Sequence, residues 1–204
     1  MAFFVFLFIS CLLLIAVEII KRKYEKSSNV TRRFAHVGAA LIAFLSPLFV
    51  SKSLIVIACL GFAGFLLLAR RTTLFSSIQG VRRTTLGEIF LPLGEALTAL
   101  AFLPTGIREF QYGVLVMGLS DPLAGLIGEK FGKHEITIFG NKKSVEGSCA
   151  FFSCTLLITL IFFPVLGYQL IIIPLILTFI EFLLGYGVDN LVLPIIGAYL
   201  LGIM

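Results

Sequence analysis

The chain has 204 residues, of which 59% are hydrophobic and 13% charged, with a formal net charge of +5. A water-soluble domain carries about twice that share of charge, and the apolar residues here come in long blocks. The composition therefore excludes a soluble core and describes a polytopic membrane protein, while basic residues in loops beside apolar stretches speak for topology and against nucleic acid.

The first apolar block, 2–20, has its positive charges after it rather than before it. It is expected to be a retained span with its N-terminus outside, not a cleaved signal. Further spans are expected at about 34–50, 53–69, 89–103, 111–128, 149–166, 168–184 and 190–204. The fourth and eighth are short for a hydrocarbon core that takes about 20 residues of helix. The sequence thus predicts an all-α membrane helix bundle of about eight spans, with six or seven as alternatives, some of them short or broken. Residues 1–204 form one integral membrane domain.

The loops test this order. The first carries Lys21, Arg22, Lys23, Lys26, Arg32 and Arg33, the third Arg70, Arg71, Arg82 and Arg83, and the fifth Lys130, Lys133, Lys142 and Lys143. The even-numbered loops hold only Lys52 and Arg108. Alternate basic loops place the odd-numbered ones, and the turn "GYGVDN" before the last span, in the cytoplasm. Cys11, Cys59, Cys149 and Cys154 lie in apolar runs without CxxC spacing, so they read as small hydrophobes.

Ionisable groups in spans cost about 2.5–3.5 kcal/mol each at mid-bilayer on insertion scales, yet here they cluster. Arg32, Arg33 and His36 open the second span, Glu88 and Glu95 flank "GEIFLPLGE" in the fourth, and Asp121 lies in the fifth. Glu146 opens the sixth, Glu181 closes the seventh, and Asp189 with Asn190 opens the eighth. Nearly all fall at cytoplasmic ends, so a bundle can gather them into one cavity. Ser120-Asp121-Pro122 reads as a helix start, with a capping residue and then proline at the first helical position. This predicts a fifth span broken into two half-helices at Asp121. Asp121, Gly125, Gly128 and Gly132 then share one face. That face is either a groove where a ligand approaches the backbone or a small-residue packing seam.

The fifth loop supplies the opposite charge. Lys142 and Lys143 precede Ser144, a candidate N-cap of the sixth helix, with Glu146 and Gly147 in its first turn. Free amides plus lysines make an anion site suited to phosphates. Carboxylates close to phosphates call for a divalent cation, and Mg²⁺ held by one or two carboxylates and by substrate phosphates is the usual solution. The residues therefore predict a cytoplasmic site for a Mg²⁺–nucleotide or other polyphosphate, roofed by apolar helices that hold a lipid tail. No GxxxxGK[ST] loop is present, which excludes a P-loop site.

These stretches carry a resemblance. "DPLAGLIGEKFGK", "KSVEGS" and "EFLLGYGVDN", with "TRRFAHVGAAL" and "RRTTLGEIFLPLG" before them, resemble the CTP-dependent polyprenol kinase family, which includes dolichol, phytol and CTP-using diacylglycerol kinases. The family is distantly akin to phosphatidate cytidylyltransferase. In the early motif Arg33 stands where lysine is more usual. The resemblance implies transfer of the γ-phosphoryl of CTP to a lipid alcohol, with Mg²⁺, at the cytoplasmic face. It implies a nucleotide and metal site containing Asp121, Gly128, Gly132, Lys143, Ser144, Glu146 and Gly147, with Asp189 and Asn190 matching the late motif. Within that frame Asp121, Asp189 and Asn190 are expected to hold Mg²⁺, and Lys143 to neutralise phosphate. Glu146 or Glu88 is expected to orient or deprotonate the lipid hydroxyl. Gly125 and Lys142 are expected beside the nucleotide, and Arg32, Arg33 and His36 to steer its triphosphate or to anchor the helix at headgroups. Lys143→Ala is expected to weaken nucleotide binding with little change in stability.

Two rival readings use the same residues. A cytidylyltransferase acting on a lipid phosphate would release pyrophosphate. A small transporter built on broken helices would carry its polar groups near the midplane, with access from both sides. The lipid itself leaves no mark in the sequence.

Overall fold

The computed structural model describes residues 1–24, 27–70, 77, 85–163 and 167–203. Lys26, Arg71, Arg82 and Arg83, and with them the first three residues of "RRTTLGEIFLPLG", lie outside the described residues. Each expected span coincides with a helix: α1 (Ala2–Tyr24), α2 (Ser28–Leu45), α3 (Lys52–Ala69), α4 (Gly87–Phe102), α5 (Ile107–Phe131), α6 (Val145–Phe162), α7 (Gln169–Leu183) and α8 (Asp189–Ile203). The protein is a polytopic membrane helix bundle. Helices α1, α3, α5 and α6 are long and apolar enough to cross a membrane, while α7 and α8 are shorter apolar helices. Helix α1 buries only Val17 and Glu18. Phe3, Phe6, Leu7, Leu13 and Leu14 lie partly buried toward the bundle, and its other apolar side chains face outward, as lipid permits.

Helix α5 departs from expectation at Asp121. It does not break. Ser120 has helical torsions and caps nothing, and the chain runs through Val116–Ser120 as a π turn. The reason lies in Pro122. Proline lacks the N–H that would reach the carbonyl four residues back, and its ring crowds that carbonyl. A π turn widens the helix at that place without ending it. The Ser120 hydroxyl accepts instead from Thr155 Oγ1 at 2.9 Å, which ties α5 to α6.

The stretch between α5 and α6, read as a plain loop, forms a β-hairpin. Strand β1 (Glu135–Ile138) pairs antiparallel with β2 (Asn141–Ser144), Ile136 opposite Lys143 and Glu135 opposite Ser144. Phe139 and Gly140 both have positive φ, 46° and 80°. That is the two-residue turn whose twist matches a hairpin. Ser144 then caps α6 as expected, its hydroxyl accepting from the Gly147 amide at 3.1 Å.

Helices α4, α5 and α8 pack together at the centre, with α3 against α4, α6 against the second half of α5, and α7 against α6 and α8. Their core holds Tyr112, Met117, Phe151, Ile173, Leu177 and Leu193. Tyr112 Oη and Thr159 Oγ1 share a hydrogen bond of 2.8 Å across that core. Small residues let backbones touch. A Cβ on Gly113 would run into the Pro194 carbonyl, and one on Gly94 into that of Asn190. Close approach of this kind is what holds helices together where lipid removes the hydrophobic drive.

Gly113→Ala should therefore destabilise the bundle by about 1–3 kcal/mol, the usual cost of overpacking. Gly61→Ala, where an added Cβ meets nothing within 4 Å, should be neutral or slightly stabilising. Melting of the two variants in detergent checks this, and equal melting temperatures would contradict it.

Candidate functional site

The hairpin decides where the lysines go. Side chains alternate along a strand, so Lys142 is exposed and pairs with Glu135 at 3.0 Å, while Lys143 turns inward. The Lys143 ammonium bonds Glu181 Oε1 at the end of α7 and lies 3.9 Å from Asp189 Oδ2 at the start of α8. The charge of Asp121, from the middle of α5, acts on it as well. Burial pulls the Lys143 pKa down, but Glu181, then Asp189, then Asp121 raise it by more, so it ends above its ordinary 10.5. A raised lysine contributes stability that is fully present below its unfolded value and is lost only as pH rises through the folded one.

The turn between α7 and α8 locks the arrangement. Tyr186 and Gly187 both have positive φ, and a Cβ at Gly187 would strike the Gly87 backbone. The Tyr186 hydroxyl donates to the Phe139 carbonyl at 3.1 Å, and the Leu86 amide donates to the Tyr186 carbonyl at 3.1 Å. Hairpin tip, start of α4 and start of α8 are thus one unit. Asn190 donates through Nδ2 to the Gly87 carbonyl at 3.0 Å, and its amide donates to Asp189 Oδ1 at 3.0 Å. Among the described residues its Oδ1 is buried without a partner, as is Glu181 Oε2.

Helix α2 closes the other side. His36 Nδ1 lies 3.9 Å from Asp121 Oδ2. Arg33 forms a two-pronged pair with Glu129, at 2.7 and 2.8 Å, and lies over Gly125, where a Cβ would come within 2.7 Å of its guanidinium. Arg32 reaches Thr85 Oγ1 at 3.3 Å, and Arg70 pairs with Glu88 at 3.2 Å. The rest of the glycine face packs on the first turn of α6. A Cβ at Gly128 would sit 2.8 Å from Ser144 Oγ, and one at Gly132 would be 2.9 Å from Ser144 Cβ. Gly128 and Gly132 therefore make a helix-packing seam, and through it they fix the hairpin.

Asp121, Lys143, Glu88, Gly125, Gly128, Lys142, Ser144, Gly147, Arg32, Arg33, His36, Asp189 and Asn190 line a single cavity of about 400 Å³. Gly132 and Glu146 do not. Glu146 turns away to His134 Nδ1 at 2.8 Å, so the hairpin carries it off the cavity wall. Beyond the charged end the cavity continues between α1, α2, α3 and α4, lined by Leu7, Leu14, Ile42, Leu54, Ile55 and Phe62. Glu129 and Tyr186 had no expected role here, while Glu181 was expected among the gathered groups but without a function of its own. A carboxylate near the end of an otherwise apolar helix was the available signal for Glu181. Tyr186, set between two glycines, gave none.

The fold and cavity define a membrane protein with one amphipathic chamber, charged at one end and apolar at the other. The chain is 29% identical over 187 residues to a phytol kinase of Synechocystis, a match that spans 87% of this chain and 80% of that one. It is 37% identical over 117 residues to an uncharacterized protein of Methanocaldococcus jannaschii, spanning 56% of this chain and 57% of that one. No family model matches the chain, and no solved structure gives a significant match.

The geometry revises one expectation. Lys143 is not a free surface charge, since its side chain is 15% exposed and its partner Glu181 only 4%. Removing one member of a buried pair leaves the other unpaired, at about 3–5 kcal/mol. Lys143→Ala should thus lower the melting temperature in detergent, and adding Glu181→Leu should restore much of it. An unchanged melting temperature for Lys143→Ala alone would contradict the pairing.

Proposed function

We propose that this protein is a lipid-alcohol kinase that transfers the γ-phosphoryl of CTP to a polyprenol, phytol or similar alcohol, with Mg²⁺, at the cytoplasmic face. The observation that carries the reading is the cavity itself. Its charged end suits a polyphosphate and its apolar half suits a lipid tail, so donor and acceptor meet at the boundary. The similarity to a phytol kinase supports the acceptor class.

The donor set fits Mg²⁺. Asp121, Asp189 and the unpartnered Oδ1 of Asn190 are all hard oxygen donors. Glu181, Asp189 and Asp121 gather around one ammonium, and a divalent cation between the carboxylates would offset their mutual repulsion. Among the described residues no three His, Cys, Asp or Glu side chains make a metal cage on their own, so the remaining ligands would come from the nucleotide phosphates. When bound, the ion would neutralise charge on the transferring phosphoryl group. Phosphoryl transfer needs mainly positioning and charge neutralisation, with no protein nucleophile. Lys143 supplies a cation at the phosphates, and Arg32 and Arg33, which line the same cavity, add positive charge beside it. Glu88, which lines the cavity, orients the acceptor hydroxyl better than Glu146, which does not.

Purified protein incubated with γ-labelled CTP and a panel of lipid alcohols should transfer label to lipid and release CDP. Asp121→Asn should abolish transfer, with the protein still folded. With a lipid phosphate added to the panel, release of pyrophosphate with no labelled alcohol would instead indicate a cytidylyltransferase, and neither product would overturn the enzyme reading.

A further inference from the structure

The apolar half of the cavity contains one group that phosphoryl transfer does not use. Glu95 lies on α4 two turns beyond Glu88, about 10 Å farther along the helix axis. It is 5% exposed and lines the cavity. Among the described residues its Oε1 is buried with no hydrogen-bond partner, and its Oε2 faces the Cys59 thiol, at 3.8 Å. The hydroxyls that line the same region are engaged elsewhere: Ser10 donates to the Phe6 carbonyl and Ser46 to that of Ala43, each at 2.8 Å. A buried polar atom left without a partner is costly, and a thiol is a weak donor. Packing does not require a carboxyl here, because leucine or methionine would fill the place at no such cost. The neighbouring Gly94 and Thr98 have structural roles, Gly94 in the contact of α4 with Asn190 of α8 and Thr98 in a bond to the Gly94 carbonyl.

We infer that Glu95 is a specificity-determining residue, a second polar subsite that takes a hydroxyl carried on the lipid's chain well below its reacting alcohol. A hydroxyl can donate to the open Oε1 whether the carboxyl is ionised or not. The preferred acceptor is then a lipid diol, or a chain oxygenated at mid-length, rather than a plain hydrocarbon alcohol. This rests on reading the cavity as a lipid-alcohol site.

The experiment compares hexadecanol with its mid-chain-hydroxylated counterpart, as acceptors with labelled CTP. Wild type should favour the hydroxylated chain by about tenfold in kcat/KM, the ratio one ordinary net hydrogen bond supports. Glu95→Leu should lose that preference while still accepting the plain alcohol. Glu95→Gln, which can still form a hydrogen bond, should keep most of it. A wild type that treats both lipids alike, or a preference that survives Glu95→Leu, would overturn the inference. The same lipids added to wild-type and Glu95→Gln protein without nucleotide give a second readout, because a ligand bound to the folded state raises its melting temperature. Larger stabilisation by the hydroxylated chain supports the subsite even if no alcohol is phosphorylated, an outcome that would count against the kinase reading alone. Equal stabilisation counts against the subsite alone.

Discussion

Everything at the charged end of this bundle follows from one buried ammonium. Lys143 enters from a short hairpin and meets Glu181 and Asp189 directly, with Asp121 close enough to act on it. Charges in or near hydrocarbon are tolerated only when paired or facing a polar cavity. One lysine therefore explains why three helices each carry a carboxylate to the same place. It also explains why the hairpin exists. A flexible loop could carry the same lysine, but strand alternation turns Lys143 inward and leaves Lys142 outside with Glu135.

The supports around that lysine are mostly small residues. Gly128 and Gly132 let α5 lie against Ser144 and so set the base of the hairpin, and Gly187 lets the α7–α8 turn rest on the start of α4. Asn190 is held by the Gly87 carbonyl with its own carbonyl oxygen left open. The result is a rigid polar floor with unused oxygen donors, beneath a chamber walled by α1 to α4. Helix α1, in which only Val17 and Glu18 are fully buried, is the least buried of those walls. Rigid donors at one end and a loosely walled apolar chamber at the other are what a phosphoryl donor and a lipid acceptor require of one site.

Much of this was legible in the sequence, because the membrane simplifies the reading. Long apolar blocks marked helices α1 to α8, and ionisable residues near their ends marked the cavity. Ser144 read correctly as a cap. The misreadings have local causes. Ser-Asp-Pro carries the chemistry of a helix start, but the π turn at 116–120 absorbs the proline and the helix continues. The hairpin was hidden because "EITIFGNKKS" has only two apolar residues on its strand faces and Phe-Gly rather than Asn-Gly at its turn. The partners of Lys143, Arg33 and Arg70 come from distant helices, and no local pattern gives such pairings. The inner face of "GLIGEKFG" was open to two readings, and its contacts with Ser144 and Gly147 make it a packing seam at Gly128.

The central claim is that one chamber holds the lipid tail against the charged floor. A lipid alcohol with a photoreactive group on its tail tests this most directly, with adducts mapped by mass spectrometry. The account predicts adducts on the chamber wall, at Leu54 and Phe62, that excess unlabelled alcohol removes. Adducts spread equally over the outward-facing Ile57 and Leu68 of the same helix, with no competition, would contradict it.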